Sequence, residues 1–200
     1  MIQLSQVLNN ILPTVSKTEG NLVEQKCSSI SVDSKMITAT ANALIVKDNL
    51  TKEDLLESLQ SVMNLSKCPN MTSQTVFRSD GYGADFVPDK VEFENLTEEQ
   101  RQAGLEFVRL MKRPMSVEGI KNLYTRLRLT SISRKDADDI DNATRMGIYI
   151  DEMRKFPANV VRSVMKQTYE YFPTLNELIY DCEREEKLIT AVERGLYDRK

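Results

Sequence analysis

Residues 171–178 read YFPTLNEL and mark the start of a helix. Thr174 and Glu177 have the spacing of a capping box, in which each side chain satisfies a free backbone N–H of the other residue. A related signal stands earlier, where Phe156 precedes Pro157, a residue suited to the first position of a helix. The two signals predict consecutive helices over 157–171 and from Leu175 onwards.

The residues before this stretch carry the same kind of signal. Thr97 and Gln100 form a second capping box, Pro114 ends the helix that follows, and Ser116 caps the next one. Helix starts are also predicted at two further pairs, Thr51 with Asp54 and Ser133 with Asp136. About five helices around one core are therefore expected over residues 96–200.

The beginning of the chain has a weaker helical pattern. Apolar residues in 2–12 follow helical spacing until Pro13. The segment 28–47 is rich in Ser, Thr, Ile and Val, which would suit a strand, but a helical face is also present at Met36, Ala39, Ala43 and Val46. We favour a helix there, and we interpret residues 1–68 as a small helical region.

Residues 69–95 break this pattern. The turn-forming sequence DGYG at 80–83 and Pro88 lie within them, and the alternation of apolar and polar residues is too short to predict a sheet. We therefore predict an all-α fold in three parts. These are an N-terminal helical region at 1–68, a connecting arm at 69–95 and a C-terminal helical bundle at 96–200.

Composition excludes several kinds of enzyme. The 200 residues include no histidine, so Ser-His-Asp and Cys-His centres are impossible. No glycine-rich turn resembles a phosphate-binding loop. The three cysteines predict neither a disulfide framework nor a metal knuckle, and no apolar run is long enough for a bilayer. We expect no catalytic residue, no cofactor and no membrane contact, and a cytoplasmic location in a bacterial host.

One group of acidic residues could hold a metal ion. Asp138 and Asp141 lie three residues apart on one predicted helical face, with Asp136 and Asp139 beside them. Carboxylates are also favourable in the first turns of any helix, because they complement the positive end of its dipole. The second explanation is preferred, so no metal ligand is predicted.

Charge is distributed unevenly along the chain. Residues 101–135 carry nine basic and two acidic side chains, a net charge of +7, whereas 1–100 carry −6 and 136–200 carry −4. A basic middle can meet an acidic partner or pair with the acidic flanks, and internal pairing is the preferred interpretation.

The basic helix pair 98–129 could nevertheless bind DNA. Lys121, Thr125 and Arg128 share one side of their helix, and two helices joined at Pro114 could imitate a helix-turn-helix. Cations at Lys112 and Arg113 are, however, favourable at any helix C-terminus. A DNA-binding regulator therefore stays an alternative, with nucleic-acid contact through 101–135.

Residues 119–186 resemble small phage- and prophage-encoded replication proteins, a group of helicase loaders and loader inhibitors. The resemblance lies in Tyr149-x-x-x-Met153-x-x-Phe156-Pro157, the apolar helix around Val160–Met165, and Tyr171-Phe172-Pro173-Thr174-x-x-Glu177-Leu178. The tryptophan usual in the first of these helices is absent, with Met146 or Tyr149 in its place.

The resemblance implies a helical adaptor that loads or inhibits a bacterial replicative helicase, and not an enzyme. A host-inhibitory phage protein that binds some other partner is a further alternative. The aromatic residues near 171 could anchor a partner or pack at the edge of the core, and packing is preferred. The candidate partner-binding residues are Lys112, Arg113, Lys121, Arg126, Arg128, Tyr171 and Glu183.

Overall fold

A computed structural model describes residues 33–77, 84–133 and 142–198 of the chain. Seven helices and one hairpin lie within these ranges. In chain order they are α1 Ser34–Ile45, α2 Lys52–Val62, β1 Asn70–Phe77, β2 Ala84–Glu92, α3 Glu98–Met111, α4 Val117–Thr130, α5 Asn142–Met153, α6 Ala158–Met165 and α7 Leu175–Tyr197.

The all-α prediction is wrong, because β1 and β2 form a two-stranded antiparallel sheet. At the base of this hairpin Met71 pairs with Val91, and both side chains are buried. A register shift between Thr72 and Ser73 then interrupts the alternation that would have revealed a strand. The sheet depends on packing of β2 against α7, a contact that local sequence does not encode.

The predicted helix starts at three capping boxes are confirmed. Each box has the expected reciprocal hydrogen bonds between a threonine and the third residue of its helix. The pairs are Thr51 with Asp54, Thr97 with Gln100, and Thr174 with Glu177. The cap at Ser116 is also confirmed, with its Oγ accepting from the backbone N–H of Gly119 at 3.1 Å. The helix favoured within 28–47 is present as α1.

Two details of the predicted helices are corrected. Pro157 occupies the N-cap of α6 with an extended ψ of 143°, so the helix begins one residue later. The helix predicted for 157–171 ends at Met165, because the following residues leave it to pair with the end of α4. The helix predicted for 2–12 lies outside the described residues, and so does Asp136, with which Ser133 was predicted to start a helix.

One hydrophobic cluster contains buried side chains from α1 to α7 and from both strands. Fully buried members include Leu59 in α2, Phe107 in α3 and Val192 in α7. Helices on both sides of residues 69–95 thus contribute to the same core, while the division at that segment stays a prediction. In the described ranges no helix is both long and apolar enough to cross a membrane.

Candidate functional site

The end of α4 is joined to the segment before α7 by a short parallel bridge. The backbone N–H of Ile132 donates to the carbonyl of Glu170, and the N–H of Phe172 donates to the carbonyl of Ile132, both at 2.9 Å. Ile132 is thereby paired with Tyr171, and side chains of directly paired residues lie on the same face. Both side chains are exposed, Ile132 by 58% and Tyr171 by 48%.

Three aromatic rings pack beneath this bridge. Tyr124 on α4 meets Tyr149 on α5 and Phe172 edge to face, with ring centroids 5.2 and 5.4 Å apart. The hydroxyl of Tyr149 donates to the carbonyl of Pro173 at 2.8 Å. Because residues alternate sides in an extended segment, Phe172 turns inward where Tyr171 turns outward. The aromatic cluster therefore positions the exposed pair.

Arg128 lies against the same cluster. Its guanidinium carbon is 5.2 Å from the centroid of the Phe172 ring, a cation–π distance. Burial raises the pKa of Tyr124, and the positive charges of Arg128 and Arg145 oppose that effect. A positive charge thus stands beside the exposed pair of Ile132 and Tyr171.

A fourth side chain extends the exposed region. Leu129, next to Arg128 in the last turn of α4, is 81% exposed. A leucine with this exposure adds little to the core of the described residues. We refer to Arg128, Leu129, Ile132 and Tyr171 as the α4-end surface.

Only some of the predicted partner-binding residues belong to this surface. Arg128 and Tyr171 lie on it, and Lys121 lies on the same flank of α4, two turns before Arg128. Arg126 lies on the opposite flank of α4, where its charge helps to lower the pKa of Asp48, which pairs chiefly with Lys166. The predicted side of α4 that contains Lys121, Thr125 and Arg128 is present in the helix, and Arg126 lies away from it.

The other predicted residues lie elsewhere. Lys112, at the end of α3, forms an ion pair with Glu193 of α7. Arg113 is exposed, and its carbonyl accepts a hydrogen bond from the N–H of Ala158 at 2.9 Å. Glu183 is exposed on α7; the pKa of its neighbour Glu186 is raised by burial first, and then by the charges of Glu193 and Glu183.

Sequence reasoning missed Leu129 and Ile132. A signal for Leu129 was present, because it falls outside the apolar stripe of α4, which contains Val117, Ile120, Tyr124 and Leu127. An aliphatic residue outside the stripe of an amphipathic helix points to solvent. Ile132 had no such signal, since its exposure depends on the bridge to Tyr171, 39 residues further along the chain.

The base of the hairpin contains a concave region, separate from the α4-end surface. A hollow of about 400 Å³ lies between residues 65–70 and 92–96, with the exposed pair Lys67 and Glu94 at 3.6 Å on its rim. Both of these side chains are about four-fifths exposed, so they form a weak surface ion pair. The charged side chains that line this hollow, Lys67, Glu92 and Glu94, are all exposed to solvent.

The α4-end surface offers a cation, a phenol and two aliphatic side chains, which are suited to contact with another molecule. Among residues 33–77, 84–133 and 142–198, no group of three acidic or cysteine side chains is placed to hold a metal ion. The predicted alternative site around Asp138 and Asp141 lies outside these ranges. Comparison with protein-family models, with curated proteins and with solved structures finds no match to this chain.

Proposed function

We propose that this chain is a non-catalytic accessory protein that binds a protein partner through the α4-end surface. The first candidate partner is a bacterial replicative helicase, as the resemblance over 119–186 implies. Loading and inhibition of that helicase are both consistent with such binding. The same proposal implies the cytoplasm of a bacterial host as the setting.

The observation that supports this proposal is the exposure of Leu129, Ile132 and Tyr171 beside Arg128. Ile132 and Tyr171 are paired directly across the bridge, and adjoining exposed apolar side chains are typical of interaction sites. Tyrosine and arginine are also the residues that most often dominate the energy of an interface. The surface combines both features on a rigid base, since the aromatic cluster is buried beneath it.

The size of the apolar contribution is adequate for specific binding. Burying a large aliphatic or aromatic side chain contributes about 1.5–3 kcal/mol. Three such side chains, together with one well-placed cation, approach the roughly 8 kcal/mol of a micromolar complex before ordering costs are subtracted. Because ordering costs reduce this sum, micromolar affinity is the tightest binding expected of this surface alone.

The experiment is a binding titration of the full chain against purified hexameric replicative helicase, with and without nuclease. We expect micromolar binding that resists nuclease and is weakened about tenfold or more by Ile132→Asp. The matched control is Val46→Asp, because Val46 is 63% exposed at the end of α1, outside the α4-end surface. Absence of binding at about 50 μM, or equal loss in both variants, would contradict the proposal.

DNA binding through the helix pair 98–129 is the alternative function. It has less support, because Arg109 pairs with Glu106 at 2.6 Å and Lys112 pairs with Glu193, which reduces the charge available to phosphates. Loss of binding on nuclease treatment would favour it. A host-inhibitory protein with a different partner would use the same α4-end surface and would fail only the helicase titration.

A further inference from the structure

We infer that the α4-end surface takes an acidic segment of the partner protein that carries one large apolar side chain. This deepens the protein-binding function proposed above, on which it rests, by naming the chemistry of the segment that is bound. The partner's apolar side chain would lie on Ile132 and Tyr171, and its carboxylates would face Arg128.

The state of Arg128 is the first reason. The arginines of α3 have a carboxylate partner within their own helix, since Arg101 pairs with Glu98 and Arg109 pairs with Glu106. In the described part of the chain, Arg128 has no such carboxylate, and its contact is with the ring of Phe172. Stacking on a ring holds the planar guanidinium in one orientation and leaves its N–H donors able to bind a carboxylate in two-pronged fashion.

The local charge is the second reason. Lys121 lies on the same flank of α4 as Arg128, and neither side chain forms an ion pair with a carboxylate among the described residues. Within the described residues, Glu170 is the acidic residue next to Tyr171 in the bridged segment, and its carbonyl accepts the hydrogen bond from the N–H of Ile132. Among the described residues the two cations Arg128 and Lys121 therefore outnumber Glu170 at this surface, and a partner with carboxylates matches that charge.

The apolar side chains decide between an acidic protein segment and nucleic acid. Leu129 and Ile132 are aliphatic and offer neither a hydrogen bond to phosphate nor a flat ring on which a base could stack, so Tyr171 is the single aromatic side chain of the α4-end surface. A leucine or phenylalanine of a partner segment would cover them and remove apolar surface from water. The pattern of one cation next to aliphatic side chains thus favours an acidic segment with an apolar anchor.

A peptide titration tests this inference with the full chain. The probe is a fluorescein-labelled peptide of about twelve residues, rich in Asp and Glu around a central Leu-Phe pair. One matched peptide carries Asn and Gln in place of the acidic residues, and another carries Ser-Ser in place of Leu-Phe. Fluorescence anisotropy is measured at about 50 mM and about 500 mM salt, since screening separates charge contacts from apolar ones.

We expect the acidic Leu-Phe peptide to bind about tenfold more tightly than either matched peptide, with the difference from the neutral peptide shrinking at high salt. Arg128→Gln should weaken binding by about fivefold or more, and Lys121→Gln should weaken it less. Lys121→Gln keeps the experiment informative if Arg128→Gln unfolds the protein. Arg109→Gln is the control, because Arg109 is exposed on α3 and pairs with Glu106.

Equal binding of the acidic and neutral peptides would overturn the inference. So would displacement of the peptide by single-stranded DNA at equal charge concentration, which would assign the surface to nucleic acid. If helicase binding is lost in Ile132→Asp while the peptides show no charge dependence, the proposed function stands and this inference fails. If the acidic peptide binds and the helicase does not, the surface chemistry stands and the helicase is the wrong partner.

Discussion

Gly195 of α7 lies against the backbone of Val91 in strand β2 so closely that a Cβ atom on Gly195 would overlap the carbonyl oxygen of Val91. The same atom would lie 3.0 Å from the ring of Phe93. Backbone cannot move aside as a flexible side chain does. The base of the hairpin is therefore held on α7 at a point where only glycine is accommodated.

The first prediction concerns this contact. Gly195→Ala should lower the free energy of unfolding by about 1–3 kcal/mol, because the new methyl group forces β2 away from α7. Gly147→Ala in α5 is the control, since a Cβ there meets nothing within 4 Å, and it should gain about 0.5–1 kcal/mol from better helix propensity. Urea unfolding of both variants measures the difference, and a loss at both positions would contradict it.

The second prediction concerns two buried tyrosines. Tyr149→Phe removes the hydroxyl that donates to the carbonyl of Pro173 and should cost about 1 kcal/mol. Tyr124→Phe should be neutral or stabilising, because the Tyr124 hydroxyl is buried and has no hydrogen-bond partner among the described residues. Thermal unfolding of the two variants tests this order. Equal destabilisation would show that the hydroxyl of Tyr124 is bonded after all.

The third prediction concerns the ion pair between Lys112 and Glu193. Both side chains are about one-third exposed, so solvent weakens their attraction. A double-mutant cycle with Lys112→Gln and Glu193→Gln should give a coupling energy of about 0.5–1 kcal/mol that falls at high salt. A coupling near zero would mean that Lys112 is available to a partner, in line with its place among the predicted partner-binding residues.

The fourth prediction concerns acid stability. Hydrogen bonds from Lys47 first, and then from Thr51, lower the pKa of Asp54 from 3.8 to about 2. Because the folded-state pKa is lowered, the unfolded chain binds the proton first, so this contribution is present above pH 3.8 and is lost as the pH falls towards about 2.

Asp54→Asn should therefore unfold with a smaller pH dependence across that window, as measured by circular dichroism. Exposed Glu53, in the same first turn of α2, supplies the control Glu53→Gln. If the acid transition of Asp54→Asn is unchanged, the lowered pKa of Asp54 does not contribute to the acid stability of the protein.

The fifth prediction concerns the thiols. Burial, with the negative charge of Asp181, raises the pKa of Cys182 to about 12, whereas Cys68 is exposed. In a Cys27→Ser background, one equivalent of iodoacetamide should label Cys68 quickly and leave Cys182 unmodified until the protein unfolds. Mass spectrometry of the digested protein identifies the labelled thiol. Early labelling of Cys182 would show that α7 opens locally.

Features that depend on neighbouring residues were predictable from the sequence. The capping boxes at Thr51, Thr97 and Thr174 were found because each involves two residues three positions apart. The hairpin was missed because Met71 and Val91 are buried by tertiary packing, while residues 73–77 are exposed on both faces. A strand without alternating burial leaves no periodic signal.

The candidate site was predictable only in part, because tertiary contacts between distant residues bring its members together. Arg128 and Tyr171 were named from their residue types, but the bridge that places Ile132 beside Tyr171 links distant parts of the chain. Lys112 and Arg126 were placed with them because position along a helix does not reveal which neighbouring helix supplies a counter-charge. Internal pairing of the basic segment 101–135 with the acidic flanks was the preferred interpretation of the uneven charge, and the pair of Lys112 with Glu193 is one contact of that kind.

The attachment of the hairpin to the end of α7 has a consequence for the order of folding. Val91, Asp89 and Lys90 find their partners at Gly195, Arg194 and Asp198, about a hundred residues later in the chain. During synthesis at about 5–20 residues per second, the hairpin leaves the ribosome several seconds or more before these partners do. Its base strands, with Met71 and Val91 uncovered, are then open to chaperones or to misassociation, so late arrival of α7 sets the period in which this protein is most vulnerable.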